Sequence, residues 1–90
     1  MEMDIYMGIN EKIVLNILEE LVKLNENEEF KKVCPDITAQ EYLCAKVQPH
    51  IKPQRLVNIL NLNIKRIRID EVEIIAKALG IDISVLFKGL

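Results

Sequence analysis

Apolar residues in this chain recur at the three- and four-residue spacing of an α-helix, and helix start and stop signals divide them into short lengths. The clearest start signal is the capping box Thr38-Ala39-Gln40-Glu41, in which the threonine oxygen accepts a backbone N–H and the glutamate reaches back to the cap. Pro35 ends the helix before it, and Pro53 begins the next one, because proline suits the first helical position. The sequence therefore predicts an all-α fold of short helices joined by turns.

The same kinds of signal place the other helices. We expect a loose start over residues 1–9, followed by a first helix that Asn10 caps. A later helix is capped by Asp70, has Glu73 at its third position and ends at Gly80. The predicted helices cover residues 10–24, 28–33, 39–47, 53–61, 71–79 and 83–88, with an extended stretch over residues 62–69.

The first predicted helix has a wider apolar arc than one core face usually needs. One stripe consists of Ile13, Ile17, Leu21 and Leu24, and a second stripe beside it consists of Val14, Leu18 and Val22. Either the whole arc is buried in the core, or part of it is a face shared with another subunit. We therefore divide the single domain into residues 1–36, an N-terminal helix with a dimerisation or partner face, and residues 37–90, a core of shorter helices.

Charge is distributed unevenly along the chain, although the formal net charge is only −2. Residues 1–41 hold ten acids and four bases, and residues 70–90 hold four acids and two bases. The segment between them, residues 42–69, holds six bases and no acid. A ligand that contacts one face responds to the charge of that face more than to the total, so this segment is the expected place for an anionic partner.

Several classes of protein are disfavoured by what the sequence lacks. No apolar run approaches the length of a membrane span, and acids stand at the N-terminus where a secretory signal carries bases, so we expect a cytoplasmic protein. Cys34, Cys44 and His50 match no disulfide framework or metal motif. Ser84 is the only serine, and there is no glycine-rich phosphate loop. We expect no enzyme activity, no metal and no cofactor.

The predicted helix 53–61 carries side chains that suit nucleic acid. Leu56, Ile59 and Leu60 share one side of it, and the opposite side carries Gln54, Arg55, Asn58 and Asn61. Arginine can bridge guanine O6 and N7, and asparagine or glutamine can bridge adenine N6 and N7, so these four are the candidate base contacts. The candidate phosphate contacts in the acid-free segment are Lys46, Lys52, Lys65, Arg66 and Arg68. An ordinary solvated polar face is the alternative interpretation.

The C-terminal half resembles a known family. Residues 67–87, from Ile67-Arg68-Ile69-Asp70-Glu71 through Ala76-Lys77-Ala78-Leu79-Gly80 to Leu86-Phe87, resemble the fourth and fifth helices of the Cro/repressor-like (XRE) helix-turn-helix family. Residues 37–44 resemble its second helix, and residues 63–67 its Lys/Arg-rich loop.

The resemblance implies a five-helix, lambda-repressor-like helix-turn-helix bundle, here with an extended N-terminal helix. Helix 53–61 would be the recognition helix, with Gln54, Arg55 and Asn58 facing bases. Thr38 or Gln40, at the start of the second helix, would touch a phosphate.

Three features depart from the family pattern. The turn Gln48-Pro49-His50 is longer than usual and lacks a small residue, so the recognition register is open by one or two residues. Leu62 stands after the recognition helix, where the family often has glycine. An acidic stretch from Glu26 to Asp36 separates the first two helices of the pattern and indicates a modified first helix or an added subunit contact.

The sequence thus predicts a bacterial or phage transcriptional regulator that binds double-stranded DNA sequence-specifically. We expect a homodimer that places helix 53–61 in the major groove, because two copies on adjacent half-sites double the few base contacts of one small module. Two alternatives stay open. One is an antitoxin whose acidic N-terminal helix covers a protein partner, and the other is an interaction module that keeps the fold without binding DNA.

Overall fold

The computed structural model describes the backbone of residues 2–90 and the side chains from Gly8 onward. Over that range the chain is all-helical and contains no strand, which confirms the predicted all-α class. The helices are α1 (Glu2–Asn25), α2 (Glu28–Val33), α3 (Ala39–Val47), α4 (Pro53–Leu60), α5 (Ile69–Leu79) and α6 (Ile83–Leu86). We call residues 61–68, which join α4 to α5, the connector.

The middle of the chain folds as its capping signals predict. Thr38 Oγ1 accepts the Glu41 N–H at 3.1 Å, and Glu41 Oε1 accepts the Thr38 N–H at 2.8 Å, which completes the capping box of α3. Pro53 is the first residue of α4, as predicted, and Asn27, for which no capping role was predicted, caps α2 by accepting the Phe30 N–H. These local signals fix α2, α3 and α4 to within one residue of their predicted bounds.

Other boundaries differ from the prediction. The helix α1 begins at Glu2, so the expected loose start over residues 1–9 is wrong; of that stretch, Met1 lies outside the described residues. Asn10 lies inside α1 and does not cap it, because its side-chain amide is bonded to the connector. The last helix, α6, ends at Leu86 rather than at Lys88.

The start of α5 is also corrected. Arg68 is the N-cap, and the Glu71 carboxylate accepts its backbone N–H at 2.9 Å. Asp70 is therefore the second helical residue instead of the cap, and Glu73 does not occupy the capping position. At the other end Gly80 terminates α5 in the left-handed conformation, with φ of 70°, as predicted.

One hydrophobic core runs through the molecule and takes in residues from α1, α3, α4, α5 and α6. From α1 it contains Ile13, Val14, Ile17 and Leu21, so most of the apolar arc is buried within its own chain. One edge of the arc is not covered, because Val22 is 54% exposed, and Leu15, which lies beside that edge, is 56% exposed.

Polar contacts fix α1 to the rest of the chain in its middle and at its C-terminal end. Asn16 Nδ2 donates to the carbonyls of Leu86 and Lys88 at 3.0 and 2.8 Å, which holds the segment after α6 against α1. At the C-terminal end of α1, Asn25 Oδ1 accepts the N–H of Ala39, the first residue of α3, at 2.7 Å. No helix in the described part of the chain is both long and apolar enough to cross a membrane.

Candidate nucleic-acid interface

The polar face of α4 points away from the core. Leu56, Ile59 and Leu60 are buried beneath it, Gln54 is exposed and Asn58 is half-buried. Gln54 Nε2 donates to Asn58 Oδ1 at 3.1 Å, one helical turn apart. This pair leaves the Gln54 carbonyl as an acceptor and the Asn58 amide hydrogens as donors, and a base edge such as that of adenine needs one of each.

Asn61 and Lys52 flank this face at the two ends of α4. Asn61 is the exposed C-cap, and Lys52 is the exposed N-cap, where it makes no side-chain cap bond. The α4 helix therefore carries amides on its outward face and at its C-cap, with a cation at its N-cap.

Arg55 does not project freely from the α4 face. Its Nε donates to Glu71 Oε2 at 2.7 Å and its Nη2 donates to Glu71 Oε1 at 2.8 Å, a two-pronged ion pair with a residue that is only 8% exposed. Its Nη2 also donates to the Arg66 carbonyl at 3.2 Å. The guanidinium holds the pKa of the Glu71 carboxyl below its ordinary value. The base contact expected of Arg55 would require this pair to break, which is strongly unfavourable for a buried partner.

The cations of the acid-free segment occupy different surroundings. Lys52, Lys65 and Arg66 are exposed, and none of the three has an ion-pair partner among the side chains described. Arg68 pairs with Asp70 through two bonds of 3.1 and 3.0 Å, and both side chains are largely exposed. The structure thus brings three cations of the predicted phosphate set to α4 and the connector without a counter-ion.

Lys46 is separated from the other predicted phosphate contacts. It follows Cys44 by two residues, which is about 200° around a helix, and Cys44 lines the groove between α3 and α4. Its Nζ lies 5.5 Å from the centroid of the Tyr42 ring, and it lines a cavity of about 290 Å³ with Glu73 and Lys77 of α5. Lys46 therefore lies on the far side of α3 from the α4 face.

The N-terminus of α3 borders the α4 face across a groove of about 350 Å³, lined by Thr38, Gln40, Glu41, Cys44, Leu56 and Val57. Gln40 is exposed, and Thr38 is exposed while its hydroxyl oxygen caps the helix. The hydroxyl hydrogen of Thr38 and the amide of Gln40 can donate to an anion at this end of α3. Glu41 also lines this groove, and its carboxylate is engaged with the cap.

Two residues of this region were missed in the sequence. Glu71 joins Arg55 to the start of α5, and Asn10 of α1 contacts the connector by donating to the Lys65 carbonyl at 2.9 Å and accepting the Ile67 N–H at 3.2 Å. No sequence signal relates Asn10 to residues more than fifty positions away. The sequence does show that Glu71 lies three residues after Arg68, the spacing of a capping box. Asp70 and Glu73 have the same spacing, and their pattern predicts the cap at Asp70 instead.

Neither cysteine forms a disulfide, since Cys34 and Cys44 are both free. Among the described side chains, no group of three His, Cys, Asp or Glu residues lies close enough together to hold a metal ion.

Comparison with protein-family models, with curated proteins and with solved structures gives no match for this chain. The likeness to the Cro/repressor-like family therefore remains an expectation drawn from the residues quoted above.

Proposed function

We propose that this protein is a transcriptional regulator of the Cro/repressor-like helix-turn-helix kind that binds double-stranded DNA sequence-specifically. In this proposal α3 and α4 form the helix-turn-helix, α4 enters the major groove, and the protein works in the cytoplasm as a homodimer. One observation carries it: the amide face of α4 is outward, and exposed cations stand at its N-cap (Lys52) and on the connector that follows it (Lys65 and Arg66). Such a face combines groups that read base edges with groups that neutralise phosphates.

The roles follow from the surroundings of each side chain. Gln54, Asn58 and Asn61 are the proposed base contacts, because their amides are the groups on the outward face of α4. Lys52, Lys65 and Arg66 are the proposed phosphate contacts, with Thr38 and Gln40 at the start of α3 as uncharged donors. Arg68 is a further proposed phosphate contact. Its ion pair with Asp70 is exposed and therefore weak, so a phosphate can replace Asp70 as its partner.

Binding of labelled duplex, followed by fluorescence anisotropy at several salt concentrations, tests the proposal. Each phosphate that a cation neutralises changes the log–log salt slope by about 0.9. Because the proposed homodimer places two copies of Lys65 on the duplex, we expect Lys65→Gln to reduce the slope by about 1.8. The matched control Lys46→Gln removes the same charge from the far side of α3, and we expect it to leave the slope unchanged. A salt-independent response, or no binding to any duplex, would contradict the proposal.

Base recognition needs a separate variant. Asn58→Ala should relax the preference at one base pair by roughly 1–3 kcal/mol in binding free energy, without changing the salt slope, because the amide is uncharged. The measurement is competition between the preferred site, found by selection from random duplexes, and its single-base variants. Equal affinities of wild type for all of them would assign the protein to nonspecific binding.

A protein partner is the second candidate function, as in an antitoxin. The observation that favours it is the exposure of Leu15, Val22 and Val33 in the acid-rich N-terminal third of the chain. An acidic surface with apolar residues suits a basic partner protein. Co-purification of one basic protein in stoichiometric amount, lost on Leu15→Lys, would support this candidate, and its absence would leave DNA binding alone.

A further inference from the structure

The basic part of the connector is held by side chains on both of its edges. On one edge, the Asn10 amide donates to the Lys65 carbonyl at 2.9 Å and accepts the Ile67 N–H at 3.2 Å. On the other edge, Arg55 donates to the Arg66 carbonyl at 3.2 Å, and Glu71 accepts the Arg68 N–H at 2.9 Å.

The spacing of these bonds is that of an extended strand between two neighbours. In a strand, the carbonyl of one residue and the N–H of the second residue after it point to the same edge. Here the asparagine of α1 supplies the partner groups on one edge, and the Arg55–Glu71 ion pair supplies them on the other. Ile67 is 9% exposed and anchors the segment to the core. Four consecutive residues therefore have a fixed backbone, although they lie outside any helix.

The basic side chains of this segment are outward while its backbone is bound. Lys65 and Arg66 are exposed, and their carbonyls are the groups that Asn10 and Arg55 hold. A flexible basic loop would have to be ordered when it meets a phosphate backbone, and that ordering would reduce affinity. A loop whose backbone is already bonded avoids this loss.

We infer that Asn10, Arg55 and Glu71 are positioning residues that hold residues 65–68 as a preformed phosphate-binding edge, with Lys65 and Arg66 as its contacts. The inference rests on the proposed function, and its ligand is the phosphate backbone of duplex DNA. It gives Arg55 a different role from the base contact expected from the sequence. A positioning residue and a contact residue can be told apart. The salt slope depends on the number of cations that contact phosphate, whereas the affinity also depends on how far the connector is already ordered, so loss of a positioning residue lowers the affinity and leaves the slope unchanged.

The test compares Asn10→Ala with Asn16→Ala in the salt-dependent anisotropy assay with random duplex. Asn16 is a matched control, because it is also an α1 asparagine whose amide donates to backbone carbonyls, but at the C-terminal end of the chain. We expect Asn10→Ala to weaken binding about tenfold, which corresponds to about 1.4 kcal/mol, the order of the cost of ordering one backbone residue. We expect its salt slope to equal that of wild type, and we expect Asn16→Ala to bind as wild type does.

Amide hydrogen exchange of the free protein provides the second readout. Asn10→Ala should speed exchange at Ile67, and Glu71→Gln should speed it at Arg68, while the amides of α4 keep their protection. This pattern distinguishes a released connector from a general loss of stability.

The outcomes separate this inference from the proposed function. If wild type binds duplex but Asn10→Ala and Asn16→Ala bind equally well, the positioning role is overturned and DNA binding stands. A reduced salt slope in Asn10→Ala would also overturn the positioning role, because the substitution would then have changed the number of cations that contact phosphate. If wild type binds no duplex at any salt concentration, the proposed function fails and the inference fails with it.

Discussion

Leu62 adopts a backbone conformation that usually belongs to glycine. Its φ is 59°, and it follows the C-cap of α4. The N–H groups of Leu62 and Asn63 donate back to the carbonyls of Ile59 and Asn58 at 3.0 and 2.8 Å, which is the Schellman pattern at a helix end. The pattern requires a left-handed residue, and a side chain there adds strain of roughly 1–2 kcal/mol.

The end of α5 has the same Schellman hydrogen bonds, but with glycine at the left-handed position. Gly80 donates to the Lys77 carbonyl at 3.1 Å and Ile81 donates to the Ala76 carbonyl at 3.0 Å, with φ of 70° at the glycine. A Cβ added at Gly80 would meet no atom within 4 Å, so an alanine there would be strained by its backbone alone. The two helix ends therefore form a natural comparison.

We predict that Leu62→Gly raises the free energy of unfolding by about 0.5–1 kcal/mol. Relief of the left-handed strain exceeds the entropy that glycine adds to the unfolded chain, and Leu62 is 41% exposed, so little packing is lost. Gly80→Ala should lower the same quantity by about 1 kcal/mol. Urea unfolding of both variants measures the two changes in unfolding free energy. If Leu62→Gly lowered this free energy as Gly80→Ala does, the backbone of Leu62 would not be strained.

The sequence alone shows that residue 62 departs from the family pattern, but it does not predict the left-handed backbone that Leu62 adopts. The family pattern marks a glycine after the recognition helix, and the sequence has leucine there. Whether the turn changes or the leucine accepts a left-handed φ depends on the helix-end bonds to Asn58 and Ile59, and these are fixed by the packing of α4. A backbone angle of this kind is not encoded in any single residue.

At the scale of elements, Glu71 joins α4, the connector and α5. Its carboxylate binds the Arg55 guanidinium of α4 and the backbone N–H of Arg68, the N-cap of α5. Mostly through the hydrogen bonds from Arg55, the pKa of this carboxyl lies below its ordinary value. A carboxyl with a depressed folded pKa stabilises the fold above its unfolded pKa, and this stabilisation is lost as the pH falls through the folded pKa.

We therefore predict that stability declines below about pH 4.3, the ordinary pKa of glutamate, and that Glu71→Gln flattens this decline. The amide keeps hydrogen-bonding groups near Arg55 but does not titrate. Glu73→Gln is the charge-matched control, because Glu73 is an exposed carboxylate of the same helix outside the pair. Urea unfolding between pH 7 and about pH 3 measures the difference, and parallel pH profiles of wild type and Glu71→Gln would refute the role of the pair.

Element boundaries were predictable where one local signal dominated and not where two competed. Thr38 with Glu41 determined the start of α3, because the nearby Asp36 has Ala39, and not a Glu or Gln, three residues after it. At α5, both Arg68 with Glu71 and Asp70 with Glu73 fit the three-residue spacing, and the aspartate is the better cap by residue type. The ion pair with Arg55 selects the first alternative, and that contact spans sixteen residues, beyond the reach of a local signal.

At the scale of the whole molecule, the cationic region is smaller than the sequence indicated. The acid-free segment holds six bases, but Arg55 and Arg68 pair with Glu71 and Asp70, and Lys46 lies on the far side of α3. The acids at the start of α5 follow the segment in the sequence and fold back onto it. Regional charge thus predicted which part of the chain carries the candidate site, and it overestimated how many cations stand there without a counter-ion.

This reduced number of cations bears on the oligomeric state. Three phosphate contacts per chain correspond to a log–log salt slope of only about −2.7, which is a weak electrostatic contribution to binding. Two chains on one duplex would give about −5.4. The homodimer predicted from the wide apolar arc of α1 would have to use its least covered edge, the exposed Val22 and the half-buried Leu18 with the adjacent exposed Leu15, because most of the arc is buried.

Leu15→Lys tests this dimer with little effect on the fold. Leu15 is 56% exposed, and a lysine at this position lies one turn from both Glu11 and Glu19, which supports the isolated helix. We expect sedimentation velocity to find two wild-type chains per duplex and one Leu15→Lys chain, and the salt slope of the variant to fall to about half. Val33→Lys, at a more exposed apolar residue of α2, should keep the wild-type stoichiometry. Two chains per duplex with Leu15→Lys would exclude this edge of α1 as the interface, and one chain per duplex with wild type would refute the homodimer itself.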